Sequence, residues 1–195
     1  MDTYKTITND IGEGYYTEKR SKFLAFAHHV ETVDEAMGIV KQYRKKYYDA
    51  RHCCYAYMIG PERDVFRAND DGEPSSTAGK PILGQINSNE LTNILIIVVR
   101  YYGGVNLGTG GLIVAYRTAA ADAIAHSKIE ERLVEEEVKY DFTYPMMNSV
   151  MRITKEMPVR IVDQHFDNTC SITLAIRKSL VQQLKDRLSK LDFEG

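Results

Sequence analysis

The sequence predicts an α+β chain of two domains, residues 1–131 and residues 136–195. In the first, the apolar run Ile94–Val99 precedes a glycine-rich stretch and a helical segment from Leu112 to Ser127, which is the order of a buried strand, a turn and a helix. The span Glu130–Glu137 holds five glutamates, and we interpret it as an exposed linker or a frayed helix end. Beyond it the pattern changes to β-α-β-β-α, which is typical of a ferredoxin-like domain.

Strands are expected in the first domain at Tyr4–Thr8, Gly14–Thr17, Phe23–Val30 and Cys53–Ile59. The segment Thr32–Glu35 has the form of a capping box and predicts that a helix begins there.

A turn-rich loop covers Asn69–Pro74, and a helix is expected over Ala78–Asn87. The apolar run that follows it predicts a buried strand over Asn93–Tyr101.

In the second domain, Val138–Tyr144 alternates apolar and polar residues and predicts a strand. Pro145 suits the first position of a helix that extends to Met157. Two strands, Val159–Phe166 and Cys170–Ile176, and a helix with leucines at helical spacing complete the pattern. The last strand of a ferredoxin-like fold is predicted to be missing or reduced to residues 193–195.

Composition narrows the class of protein. A net charge of −2 provides no global basic field, so any contact with nucleic acid has to come from a local patch. No run approaches the roughly 18 apolar residues of a membrane span, and the N-terminus has no apolar segment typical of a secretory signal. The three cysteines form no CxxC pair, which fits reduced thiols in a cytoplasmic protein.

The glycine-rich stretch is the main candidate for function. Helix N-termini favour anions such as phosphate, and glycines let a backbone approach a ligand closely. The alternative is that the glycines only form a tight turn against the sheet. A P-loop lysine is absent, because Thr109 and Gly110 stand where Lys and Ser or Thr should follow, so ATP hydrolysis is not supported. The candidate loop residues are Gly103, Gly104, Gly108, Thr109, Gly110 and Gly111.

Three cations are candidates to grip a phosphate beside that loop: Arg100 at the strand end, Lys80 after Gly79, and Arg117 in the following helix. Each can instead be an ordinary surface or helix-end charge. Tyr101 and Tyr102 are candidates to stack bases, although tyrosines on strands more often face a core.

Catalytic and metal chemistry have weaker signals. Asp70, Asp71 and Glu73 can hold Mg²⁺ against a phosphate, but a plain acidic turn is the better interpretation. His52 and Cys53 are adjacent on a strand and point to opposite faces, so they do not form a nucleophile pair. We therefore assign no catalytic residue, no metal and no cofactor.

Four segments together resemble the IMPACT family, which includes the YigZ-type proteins of bacteria: Lys19–Phe23, His52–Tyr57, Asp70–Leu83 and Val99–Leu112. The resemblance covers residues 1–128, and the remainder resembles the small C-terminal domain of the bacterial members. It implies a first domain with the fold of the second domain of ribosomal protein S5, followed by a ferredoxin-like domain. Eukaryotic relatives are implicated in restraining the amino-acid-starvation response at the ribosome through a partner protein.

Two functions follow from these observations. The first is a non-enzymatic binding protein linked to translation or its regulation, with RNA, the ribosome or a translation factor as its partner. The second is a phosphate-handling enzyme that acts on a small molecule or a nucleotide, because some small-molecule kinases share the fold and a glycine-rich loop. The missing lysine and the lack of a clear catalytic base favour the first.

Overall fold

The computed structural model describes residues 2–194, which divide into two compact units. Residues Tyr4–Arg132 form the first, and Asp2 and Thr3 group with the residues from Leu133 onward in the second. Among residues 2–194, none of the helices combines the length and the apolar character that a membrane crossing needs.

The first unit is built on a five-stranded antiparallel sheet, with β1 and β7 paired in a separate two-stranded sheet. The order of the five strands is β2-β3-β6-β4-β5. The elements are β1 (Thr3–Ile7), β2 (Gly12–Glu18), β3 (Ser21–His29), α1 (Val33–Lys46), β4 (His52–Ile59), β5 (Val65–Asn69), α2 (Gly79–Ser88), β6 (Ile94–Tyr101), α3 (Gly108–Ala125) and β7 (Ile129–Leu133).

The central strand β6 is buried on both faces. Ile96 and Val98 lie in a core with α2 and α3, while Ile97 and Val99 lie in a second core with α1. Helices on both sides of the sheet explain why β6 is continuously apolar instead of alternating. Full burial of each such side chain contributes about 1.5–3 kcal/mol to stability, so β6 is a rigid base for whatever follows it.

The N-termini of α1 and α3 show how the local sequence affects where a helix begins. The Glu35 N–H donates to Thr32 Oγ1 at 3.1 Å, which confirms the predicted start of α1. Helix α3 begins at Gly108, four residues before the predicted Leu112. Glycine is a poor helix former, but packing on the sheet from Leu112 onward anchors α3, and the exposed first turn extends it.

The second unit contains β8 (Glu135–Phe142), α4 (Met147–Glu156), β9 (Arg160–Phe166), β10 (Cys170–Arg177) and α5 (Val181–Glu194). Short 3₁₀ turns, Tyr144–Met146 and Lys178–Leu180, precede the two helices. The predicted β-α-β-β-α order is confirmed, with three antiparallel strands in the order β8-β10-β9. This is a ferredoxin-like arrangement, so the chain is α+β with two domains.

The structure resolves one open point of the sequence prediction, at the end of the chain, and corrects another, at Glu130–Glu137. Phe193 lies in α5, so among residues 2–194 this sheet has no fourth strand; Gly195 lies outside the described residues. The interpretation of Glu130–Glu137 as a linker or a frayed helix was wrong, because β7 and β8 occupy almost all of it. Strands can carry these glutamates because most of their side chains face solvent while the backbone pairs.

We expect a fragment of residues 1–132 to fold cooperatively when expressed alone, because both cores of the first unit and nearly all of the β1–β7 pairing lie within it. The measurement is thermal unfolding followed by circular dichroism, with the full chain as the reference. An unfolded fragment beside a folded full chain would show that the boundary is misplaced.

Candidate anion-binding site

A buried carboxylate stands at the centre of the candidate site. The Glu73 side chain is 3% exposed and pairs with the Arg100 side chain, which is 5% exposed. Arg100 Nη1 donates to both Glu73 oxygens, at 2.9 and 2.8 Å, and the Tyr116 hydroxyl donates to Glu73 Oε2 at 2.5 Å. His52 Nε2 lies 3.2 Å from Glu73 Oε1. We call Glu73, Arg100, His52 and Tyr116 the Glu73 cluster.

Strand register and one loop bring the cluster together. His52 at the start of β4 lies opposite Arg100 near the end of β6. Tyr116 reaches the cluster from α3, and Glu73 comes from the loop between β5 and α2. Asp70 holds that loop in place, because its carboxylate accepts hydrogen bonds from the backbone N–H groups of residues 76, 78 and 79 at 2.9–3.1 Å.

The contacts of His52 fix its orientation. Nδ1 lies 2.7 Å from the backbone carbonyl oxygen of Asp71, which can only accept, so Nδ1 carries a proton. Nε2 then faces the Glu73 carboxylate. The Arg100 guanidinium balances the charge of Glu73, and His52 adds a positive charge to the Glu73 cluster when it is protonated.

The cluster forms the floor of a concave pocket of about 400 Å³. This volume lies within the range of small-molecule sites. The lining residues are Arg51, His52, Glu73, Pro74, Arg100, Tyr102, Asn106, Leu107, Gly108, Thr109 and Leu112.

The N-terminus of α3 opens into this pocket. Its N-cap residue Leu107 makes no side-chain capping bond, and Gly108 and Thr109 are the first two residues of the helix. An uncapped N-terminus presents free N–H groups and a partial charge of about +0.5. Both features favour an anion in the pocket.

An arginine and a tyrosine form the rim. The Arg51 guanidinium lies 4.8 Å from the centre of the Tyr102 ring, and Arg100 lies 5.5 Å from the same centre. Tyr102 is 38% exposed and donates to Asn106 Oδ1 at 3.2 Å. A base that stacks at this rim therefore meets the exposed Arg51, or displaces it to reach the ring.

Comparison with known proteins places the chain in a family. The Impact N-terminal domain matches residues 19–124. The IMPACT family member of Haemophilus influenzae is 31% identical over 174 residues, which cover 88% of this chain and 84% of that protein. The chain belongs to the IMPACT family. The Escherichia coli member YigZ is 30% identical over 173 residues, covering 88% of this chain and 85% of YigZ.

A solved crystal structure of a hypothetical protein shares the whole architecture. It is 27% identical, with a TM-score of 0.76, over 97% of this chain and 93% of its own. Family membership and this fold agree with the resemblance that the sequence motifs carried.

The pocket gathers four of the sequence-predicted site residues: Arg100, Tyr102, Gly108 and Thr109. Gly110 and Gly111 line a second concavity of about 290 Å³ with Lys19.

Five further candidates line neither concavity as the described residues form them: Lys80, Arg117, Tyr101, Gly103 and Gly104. Lys80 and Arg117 are exposed on α2 and α3. Tyr101 donates to Asp49 Oδ1 at 2.9 Å, and desolvation together with that bond raises the pKa of Tyr101 to about 12. Their contact with a ligand stays a prediction.

The glycines have separate structural reasons. A Cβ on Gly103 would lie 2.2 Å from the Arg20 carbonyl carbon, so close packing on the β2–β3 turn requires glycine there. Gly104 and Gly108 adopt positive φ angles of 89° and 73°, which favour glycine. Gly110 has open space around its Cβ position. The tight-turn interpretation therefore accounts for Gly103, Gly104 and Gly108, while the backbone at Gly110 is accessible.

Sequence reasoning did not identify Arg51, Glu73 or Tyr116 as part of an anion site, and it did not foresee how Arg100 is held. Arg100 is buried, with Nη1 on Glu73 and Nη2 3.4 Å from Ser21 Oγ. A signal was present: an arginine that is buried at the end of an apolar strand needs an acidic partner, and the Asn69–Pro74 loop holds three acidic residues that can supply it.

The other acidic and thiol candidates have structural roles. Asp71 accepts from the Cys53 N–H at 2.7 Å and pairs with Arg44. In the described part of the chain, no group of three or more His, Cys, Asp or Glu side chains is arranged to hold a metal ion. Burial raises the pKa of Cys53 to about 11 and that of Cys54 well above its usual value, which disfavours the nucleophilic thiolates.

We expect Glu73→Gln to destabilise the protein by about 3–5 kcal/mol, because it leaves the buried Arg100 guanidinium without its counter-charge. Urea unfolding measures the change, and Glu131→Gln, on the exposed face of β7, is the matched control. If Glu73→Gln were as stable as the control, the cluster would not be charged as its geometry requires.

Proposed function

We propose that this IMPACT family member is a non-enzymatic protein of translation or its regulation, and that it binds RNA through a phosphate group in the pocket at the N-terminus of α3. The observation that carries the proposal is the convergence of His52, Arg100 and Arg51 on an uncapped helix N-terminus. The translation context comes from the family.

The pocket accounts for how a chain with a negative net charge can attract a phosphate. With a net charge of −2, the chain has no general attraction for a polyanion. Beside the balanced Arg100–Glu73 pair, Arg51 contributes one full positive charge, and α3 adds the partial charge of its N-terminus. Low-dielectric walls focus such a field on the pocket.

RNA is favoured over a simple anion because the rim provides a stacking plane. Guanidinium planes and aromatic rings both stack unpaired RNA bases. Arg51 on Tyr102 supplies such a plane beside the phosphate site. A ribosome or translation-factor surface becomes the better assignment if free RNA does not bind.

One observation favours the enzymatic alternative. Buried, interacting charged groups at the bottom of a cleft are common in active sites. However, the Glu73 carboxylate already accepts from Arg100 Nη1 at both oxygens and from the Tyr116 hydroxyl, which leaves it fewer lone pairs to act as a general base. The cluster is better suited to hold a charge than to transfer a proton.

We therefore expect no turnover of ATP or GTP by the purified protein with Mg²⁺ present. A coupled phosphate-release assay is the measurement, with Gly108→Val as the control for a contaminating activity. Robust hydrolysis by the wild type that Gly108→Val abolishes would favour the enzyme over the binding protein.

The binding proposal is tested by titrating single-stranded RNA at several salt concentrations. We expect Arg51→Ala to reduce the slope of log K against log salt by about one unit, because one phosphate contact is lost. Tyr102→Ala should cost about 1–3 kcal/mol with an unchanged slope if a base stacks at the rim. Lys80→Ala tests whether the predicted cation on α2, outside the pocket, also contacts RNA.

Arg100→Ala is unsuitable for this test, because it breaks a buried ion pair and changes stability as well as binding. No binding at low salt, or equal binding by the Arg51, Tyr102 and Lys80 variants, would remove the pocket as an RNA site.

A further inference from the structure

We propose that the pocket is selective for a terminal phosphate, a phosphomonoester at the end of an RNA strand, over the internal phosphodiesters of the backbone. This inference rests on the proposed function and specifies which part of the RNA enters the site. Three independent features of the pocket lead to it: the depth of its charges, their sum, and one unsatisfied donor.

The charges of the Glu73 cluster lie at the bottom of the pocket. The Arg100 and Glu73 side chains are almost completely buried, and the His52 side chain is only 15% exposed. An internal phosphodiester continues as a chain on both sides, so it can follow a rim but cannot descend into a concavity of about 400 Å³. A terminal phosphate is attached on one side only and can reach the floor.

The sum of the charges matches a phosphomonoester. The Arg100–Glu73 pair is balanced, Arg51 contributes +1 and the α3 N-terminus contributes about +0.5, while a phosphomonoester carries about −1.5 to −2 at pH 7. A phosphodiester carries about −1. The monoester neutralises all of the local charge, whereas a diester leaves about a third of it uncompensated.

Arg100 supplies the third observation. Its Nε–H is buried and has no hydrogen-bond partner within the part of the chain that the structure describes, although Arg100 lines the pocket. Buried guanidinium donors are normally satisfied. A phosphate oxygen on the pocket floor is the kind of acceptor that this donor lacks, and a bond to it would be charge-assisted.

The experiment compares RNA ends on the wild-type protein. One 12-nucleotide sequence, labelled internally with a fluorophore, is prepared with a 5′-phosphate, with a 3′-phosphate, with hydroxyls at both ends, and as a circle. Fluorescence anisotropy gives each affinity. We expect one of the two phosphorylated ends to bind at least about tenfold more tightly than the hydroxyl form, a change that one or two charge-assisted contacts supply. The circle should match the hydroxyl form.

Two variants and a competitor identify the pocket as the source of that selectivity. Arg51→Ala and His52→Gln should each reduce the preference for a phosphorylated end, while Lys5→Ala, which removes an exposed lysine paired with Glu90, should leave it intact. A nucleoside monophosphate should compete with the phosphorylated RNA, and the corresponding nucleoside should not. Because the comparison of ends uses the wild-type chain, it does not depend on the folding of any variant.

The outcomes separate this inference from the function on which it rests. Equal affinity for all four RNAs, with loss of binding in Arg51→Ala, overturns the selectivity and leaves RNA binding in place. No binding of any RNA overturns both, and binding of the nucleoside monophosphate alone would then assign the pocket to a small molecule instead.

Discussion

The ion pair between Arg100 and Glu73 is the interaction on which the candidate site depends. Removing two charges from water costs several kcal/mol per ion, so such a pair persists only where further hydrogen bonds satisfy it. Tyr116 and His52 provide those bonds from α3 and β4. The buried Arg100–Glu73 pair therefore links three elements in a fixed arrangement. These are the central strand β6, the loop between β5 and α2, and the helix α3, whose N-terminus faces the pocket.

The sheet makes this arrangement rigid, and rigidity matters for binding. β6 is enclosed by two apolar cores, so Arg100 projects from a backbone that has little freedom to move. The Glu73 loop is fixed in turn by the three N–H bonds to Asp70. The stability of the fold thus positions the cations before any ligand arrives, and the ligand does not have to order them.

The sequence predicted an element correctly where one local signal dominates. It failed where contacts between residues far apart in the sequence determine the structure. The apolar run of β6 and the capping box at Thr32 were sufficient for their elements. The start of α3 was misplaced because glycine propensity disfavours a helix that packing enforces. The partnership of Arg100 with Glu73 spans 27 residues and depends on how the loop folds back, which no local pattern encodes.

The same cluster explains how the pocket is shaped to hold an anion. Glu73 accepts from Arg100 Nη1 and from the Tyr116 hydroxyl, and its effect is to retain a guanidinium at a buried position that it would not occupy alone. Because Glu73 balances the charge of Arg100, the positive charge that faces a ligand comes from Arg51 and from the uncapped N-terminus of α3. The buried ion pair thus fixes the geometry of the pocket, and the charges above it supply the attraction for an anion.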